Sequence, residues 1–114
     1  MTRSVPVRVL LDEDLPRRLT RYLPGHYVRT VQQEGWAGLR NGDLLRRASV
    51  GGFDVLLTAD QNLQFQQNLA ETNLGVIVLV AQSNKLDDLL PLVPAALSMV
   101  EDLRPGEIRR VGSS

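Results

Sequence analysis

At 114 residues, 43% hydrophobic and 23% charged, the chain has the size and composition of one globular domain with a real core, which excludes a disordered segment or a short peptide. With no cysteine and one histidine, His26, it has no disulfide, no thiolate metal site and no His-based zinc site. Formal net charge is zero, yet residues 1–47 carry +4 and residues 48–114 carry −4, and twelve of the thirteen basic residues are Arg; that bias fits either phosphate contacts, for which Arg is the better bidentate donor, or genome base composition.

The first stretch, "VPVRVLL" (5–11), is short and rich in Val and Leu, as a buried parallel strand is. It stops at three consecutive acids, Asp12, Glu13 and Asp14. "LPRRLTRYL" (15–23) then puts Leu15, Leu19 and Leu23 on one helical face, with Asp14 as its N-cap and Pro16 tolerated in the first turn. The Pro–Gly pair at 24–25 ends it, and "HYVRTV" (26–31) is a second strand rich in β-branched residues. "QQEGWAGLRNG" is a loop, and "DLLRRAS" (43–49) a short helix that Asn41 could cap.

"FDVLLTAD" (53–60) reads as a third strand that again ends in an acid. "QNLQFQQNLA" (61–70) fits a short helix, and "GVIVLV" (75–80) is the most apolar strand, expected near the centre of the sheet. "KLDDLLPLVPAALSMVEDL" (85–103) has helical period, but Pro91 and Pro94 each remove an N–H and must kink or split it. "EIRRV" (107–111) is a last strand at an edge. The longest apolar run, "LGVIVLVA", spans about eight residues against the ~20 needed to cross a bilayer, and the first residues lack a signal-peptide pattern. A single cytoplasmic domain over residues 1–114, with no membrane partner, is expected.

Alternating strands and helices argue for an α/β sandwich around a mainly parallel five-stranded sheet. The expected order is 2-1-3-4-5, with winding reversing between strands 1 and 3. Ligands bind such sheets at the carboxyl ends of the strands, at that switch point. Asp12 ends strand 1 and Asp60 ends strand 3, on strands ~4.8 Å apart, so both would face one crevice. Carboxylates that close repel each other, and a hard cation such as Mg²⁺ or Mn²⁺ removes the conflict. Asp43, at the start of the second helix, is the natural third acid.

The stretches "LLDEDLPRRL", "GWAGLRNGDLL" and "FDVLLTADQNL", with "LVP" and "RPGEIRRV" further on, resemble a family of small bacterial PIN-like proteins of unknown function, similar to the toxin nucleases of toxin–antitoxin pairs. The resemblance covers nearly the whole chain. It implies a three-layer α/β/α fold, a carboxylate cluster of Asp12, Asp43 and Asp60 binding Mg²⁺ or Mn²⁺ for RNA hydrolysis, and a small antitoxin-like partner; a homodimer stays open. PIN nucleases usually carry a fourth acid after the third, where this chain has Gln61 and Asn62.

Each candidate also has a plainer role. Asp12, Asp43 and Asp60 could cap a turn or complement a helix dipole. Glu13 is a solvated side chain or an added ligand, and Asn62 a capping residue or an added ligand. Arg17, Arg18 and Arg21, and likewise Arg40, Arg46 and Arg47, form either a solvated helix face or a phosphate track for RNA. Trp36 is a lid over the core edge, a base-stacking platform or a partner contact. Asp54 and His26 belong at the opposite end from the acids and are given no role. Three functions compete: a metal-dependent ribonuclease, a non-catalytic RNA- or protein-binding module, and a phosphoryl-transfer domain. The last is the weakest. A receiver wants a Lys after the fifth strand, and a haloacid dehalogenase-type phosphatase wants Thr or Val where Pro16 stands.

Overall fold

The structure, a computed structural model, describes residues 6–61 and 72–112. The helix expected over 61–70 and the candidate ligand Asn62 lie outside the described residues. Five strands, β1 (Arg8–Leu11), β2 (Tyr27–Thr30), β3 (Val55–Thr58), β4 (Gly75–Val80) and β5 (Ile108–Gly112), form one sheet in the order β2-β1-β3-β4-β5. Every neighbouring pair is parallel, with Leu11 opposite both Thr30 and Leu57, and Leu57 opposite Ile77. The expected topology is therefore present. The middle strand is β3, all four of whose residues are buried; β4, expected at the centre, lies between β3 and β5.

Successive strand residues point to opposite faces, and the chain fills both with hydrocarbon. Val9, Leu11, Val55, Leu57, Ile77 and Leu79 enter one core; Leu10, Leu56, Val76 and Val78 enter the other. The first core is closed by Leu15, Leu19 and Leu23, and by Leu89, Ala96 and Val100 from α2 (Leu86–Leu89) and α3 (Val93–Asp102). The second is closed by Leu44, Leu45 and Ala48 of α1 (Asn41–Val50) and by Phe53. Helical segments cover both faces, an arrangement that fits a three-layer α/β/α fold. No helix among the described residues is long and apolar enough to cross a membrane.

The helices depart from the sequence reading where backbone chemistry intervenes. The Leu stripe at 15–23 forms a 3-10 helix, Arg17–Tyr22, not an α-helix. Pro16 is extended, with ψ 137°, and disfavours helical geometry at Leu15 before it. The helix opens at Pro16 with no side-chain cap, so Asp14 does not have the capping role expected of it. Helix α1 begins at Asn41, so Arg40, not Asn41, sits at its cap position, without a side-chain bond. The segment holding Pro91 and Pro94 divides as expected, into α2, a 3-10 turn (Leu90–Leu92) and α3.

One close approach sets the spacing between β4 and the end of α3. A Cβ on Gly75 would collide with Leu103 Cδ2, and would lie 2.8 Å from Leu103 Cγ and 3.2 Å from the Arg104 carbonyl. Gly75→Ala should destabilise the fold by about 1–3 kcal/mol through overpacking. Leu103→Ala alone should cost about 2–5 kcal/mol. Because the two changes relieve one another, the double variant should cost clearly less than their sum in urea unfolding. Simple additivity would mean that the two residues do not compete for space.

Candidate functional site

The site is built where β1 and β3 end side by side. The Asp12 N–H donates to the Leu57 carbonyl at 2.9 Å, extending the ladder one residue past β1 and fixing the Asp12 backbone. Asp12 is 8% exposed, and an ionised carboxylate so placed needs donors. It has two: the Glu13 N–H to Oδ1 at 2.8 Å and the Thr58 hydroxyl to Oδ2 at 2.7 Å.

Thr58, the last residue of β3 and fully buried, is the hub. Its Oγ1 accepts the Asp60 N–H at 3.1 Å and lies 3.4 Å from Asp14 Oδ2. A hydroxyl has one hydrogen to give. The short contact assigns it to Asp12 and leaves Asp14 poorly served. Asp14 is held instead by the Ala59 N–H, shared between its two oxygens at 3.3 and 3.2 Å.

The electrostatics follow from this shortage. Burial pushes the Asp12 carboxyl above its ordinary value, against the lowering effect of the Thr58 and Glu13 hydrogen bonds. Burial, and then the Asp12 charge beside it, raise Asp14 to about 6. Asp60 adds a smaller repulsion to both.

These acids face an open cleft of about 460 Å³, with Glu13, Asp60, Gln61 and Asn84 on its walls and Leu39 and Leu44 closing one side. Glu13 Oε1 accepts the Gly38 N–H at 3.0 Å, tying the 32–40 loop to the cleft. Asp12 and Asp60 thus meet as the sequence led one to expect, and Glu13, for which the sequence left a solvated role open, lines the same cleft. Asp43 does not join them. Its carboxylate pairs with Arg46 one turn along α1, and it lines a neighbouring hollow with Arg46, Arg47 and Val50. Leu44, about 100° further round the helix, takes the cleft side.

Asp14 and Thr58 are the residues the sequence reading missed, with Asn84. Two signals were present. Pro16 argues against a helix starting at Leu15, which frees Asp14 from capping. Thr58 is the polar residue inside an apolar run, and a buried hydroxyl demands partners. Nothing in the sequence marks Asn84.

No protein-family model, curated protein or solved structure matches this chain.

The remaining candidates are dispersed. Trp36 packs edge-on against Phe53, with centroids 5.9 Å apart, in the second core and off the cleft lining. Arg40 is exposed at the cap position of α1, and Arg46 is engaged by Asp43. Arg17 and Arg18 line a separate hollow with Arg21. Asp54 accepts the Arg8 N–H at 2.9 Å, and His26 Nδ1 accepts the Val7 N–H at 3.1 Å, both at the amino end of the sheet.

Among the described residues no group of three or more His, Cys, Asp or Glu side chains could hold a metal ion together. What the cleft does offer is a carboxylate pair, Asp12 and Asp14, with Asp60, Gln61 and Asn84 as further oxygen donors. An all-oxygen donor set around two carboxylates that resist ionising together suits a hard divalent cation held by one or two carboxylates.

The pH dependence has a definite sign. Asp14 ionises less readily folded than unfolded, so between pH 4 and 6 the native state binds more protons, and stability falls as pH rises. Asp14→Asn removes that loss. Without added metal it should stabilise the protein at pH 7 by about 1–2 kcal/mol, less than the full shift implies because Asp14 is partly open to solvent. The gain should vanish below about pH 4. Urea unfolding from pH 3 to 8 checks this; parallel curves for the two proteins would refute it.

Proposed function

We propose that the cleft at the ends of β1 and β3 binds Mg²⁺ or Mn²⁺ and hydrolyses RNA phosphodiester bonds. The observation that carries this reading is the Asp12–Asp14 pair, set on either side of one Thr58 hydroxyl that can serve only Asp12 and both resisting ionisation, at the carboxyl edge of a parallel sheet. The resemblance of the sequence to PIN-like nucleases supports it. So do the side-chain oxygens that Asp12, Asp14, Asp60, Gln61 and Asn84 bring to the cleft lining.

The residues divide the work by environment. Asp12, oriented by Thr58 and the Glu13 N–H, would hold the ion together with Asp60. When bound, the ion supplies charge neutralisation at the phosphate and activation of water. Asp14, poised near 6, is suited to exchange a proton with the attacking water or the leaving oxygen. The Gln61 and Asn84 side chains, lining the same cleft, can donate to phosphate or ribose oxygens. Asp43 has no part in this scheme.

By the same resemblance, the protein would be the toxin of a toxin–antitoxin pair. An Arg of the antitoxin-like partner entering the acidic cleft would pair with Asp12 or Asp14 and exclude the cation. A second reading, a non-catalytic RNA-binding module, draws on the finding that no three acidic side chains among the described residues are placed to hold a metal ion together.

Millimolar Mg²⁺ or Mn²⁺ should raise the melting temperature of the wild type and leave that of Asp12→Asn unchanged, since a ligand of the folded state stabilises it. Single-stranded RNA should be cut with Mn²⁺ present, spared with chelator, and cut at least roughly 100-fold more slowly by Asp14→Asn. RNA binding without cleavage at any metal concentration would favour the second reading. Cleavage that survives both chelator and Asp12→Asn would place the activity outside this cleft.

A further inference from the structure

The 3-10 helix builds a second anionic-ligand surface. Arg17, Arg18 and Arg21 line a hollow of about 260 Å³ together with Thr20 and Gln33, and no carboxylate lines it. Three other arginines are paired with acids: Arg29 with Glu34, Arg46 with Asp43, and Arg109 with Glu107. The side chains of Arg17, Arg18 and Arg21 make no hydrogen bond or ion pair with any described residue. Three guanidinium groups gathered without an acid raise the local potential, which favours a ligand carrying several negative charges.

The backbone sets their spacing. In a 3-10 helix residues three apart eclipse, so Arg18 and Arg21 stack on one side, about 6 Å apart along the axis at 2.0 Å per residue. Leu19, buried in the first core, pins the helix between them. Arg17 lies three residues from Asp14, at most about 11 Å along an extended chain. A strand whose phosphates rest on the arginines therefore lies within reach of the cleft.

We infer that the Arg17–Arg18–Arg21 hollow is the phosphate-binding track that holds single-stranded RNA beside the cleft, an inference that rests on the reading of the protein as RNA-directed. Guanidinium forks suit phosphate oxygens, and the Gln33 side-chain amide, whose Oε1 accepts the Thr30 N–H at 2.9 Å, keeps its NH2 as a neutral donor at the same place. These contacts position the strand and carry no sequence preference.

The test is binding of a fluorescently labelled 12-nucleotide single-stranded RNA, followed by anisotropy in chelator so that nothing is cut, across a salt series. The wild type should bind with a salt-dependent Kd. The Arg17→Ala/Arg18→Ala/Arg21→Ala variant should bind at least tenfold more weakly, with a log Kd against log salt slope lower by about 2, three contacts at about 0.7 each on single strands. The corresponding triple Lys variant should keep most of the slope, and Arg110→Ala, on the far edge strand, should match the wild type. Melting curves check that each variant is folded. Unchanged affinity and slope in the triple Ala variant would overturn the inference, as would an equal effect of Arg110→Ala or no RNA binding by the wild type. Arginine-dependent binding with no cleavage in Mn²⁺ would sustain the track and sink the nuclease reading. Cleavage with arginine-independent binding would do the reverse.

Discussion

One hydroxyl lies between two carboxylates at the heart of this protein and can donate to only one of them. Thr58 Oγ1 donates a hydrogen bond to Asp12, accepts one from the Asp60 N–H, and leaves Asp14 with a long, divided bond from the Ala59 N–H. The parallel register makes this arrangement unavoidable. With Leu11 opposite Leu57, the next residues on the two strands are Asp12 and Thr58. The two apolar cores in turn fix that register, because a one-residue slip would turn Leu11 and Leu57 out of their core and Leu10 and Leu56 into the wrong one. The packing of hydrocarbon thus holds a pair of acids in a state that water alone would not favour.

That state has a natural complement. Burial and mutual repulsion both act against full ionisation of Asp12 and Asp14, and both are relieved by a cation in the cleft or by a proton. The same tension is useful to a hydrolase: a carboxyl near 6 can hold or release a proton close to neutral pH, while its better-bonded neighbour stays a ligand. The hollow lined by Arg17, Arg18 and Arg21 is the electrostatic opposite, cationic and without a carboxylate on its lining. An acidic cleft and a basic track a few residues apart suit a substrate that is itself a polyanion worked on through a cation.

How much of this was legible in the sequence depends on the range of the interactions. Short Val- and Leu-rich runs declared the strands, and their alternation with helical segments, which makes the connections crossovers between parallel strands, led to the sheet order. Pro91 and Pro94 announced the division of the last helical segment through their missing N–H groups. Asp12 and Asp60 were found because strand ends on neighbouring parallel strands must meet. Asp14 and Asp43 were exchanged. Capping is a local preference, and Asp14 gives it up for partners 44 and 45 residues away that no local pattern encodes. Asp43 was placed by its helix terminus, but it pairs with Arg46 one turn along the same face and lines a neighbouring hollow, not the cleft. The 3-10 form of residues 17–22 also escaped the Leu spacing, which fits an α-helical stripe equally well.

The most direct test of the carboxylate-pair account is a pH titration of the aspartate carboxyl carbons by ¹³C NMR, with and without Mg²⁺. Asp14 should titrate near 6 and Asp12 above the ordinary range, and both midpoints should fall when Mg²⁺ is added. If instead Asp12 and Asp14 titrate independently near 4, as free aspartates do, and ignore Mg²⁺, then the two carboxylates are not in tension and the cleft has no reason to bind a cation.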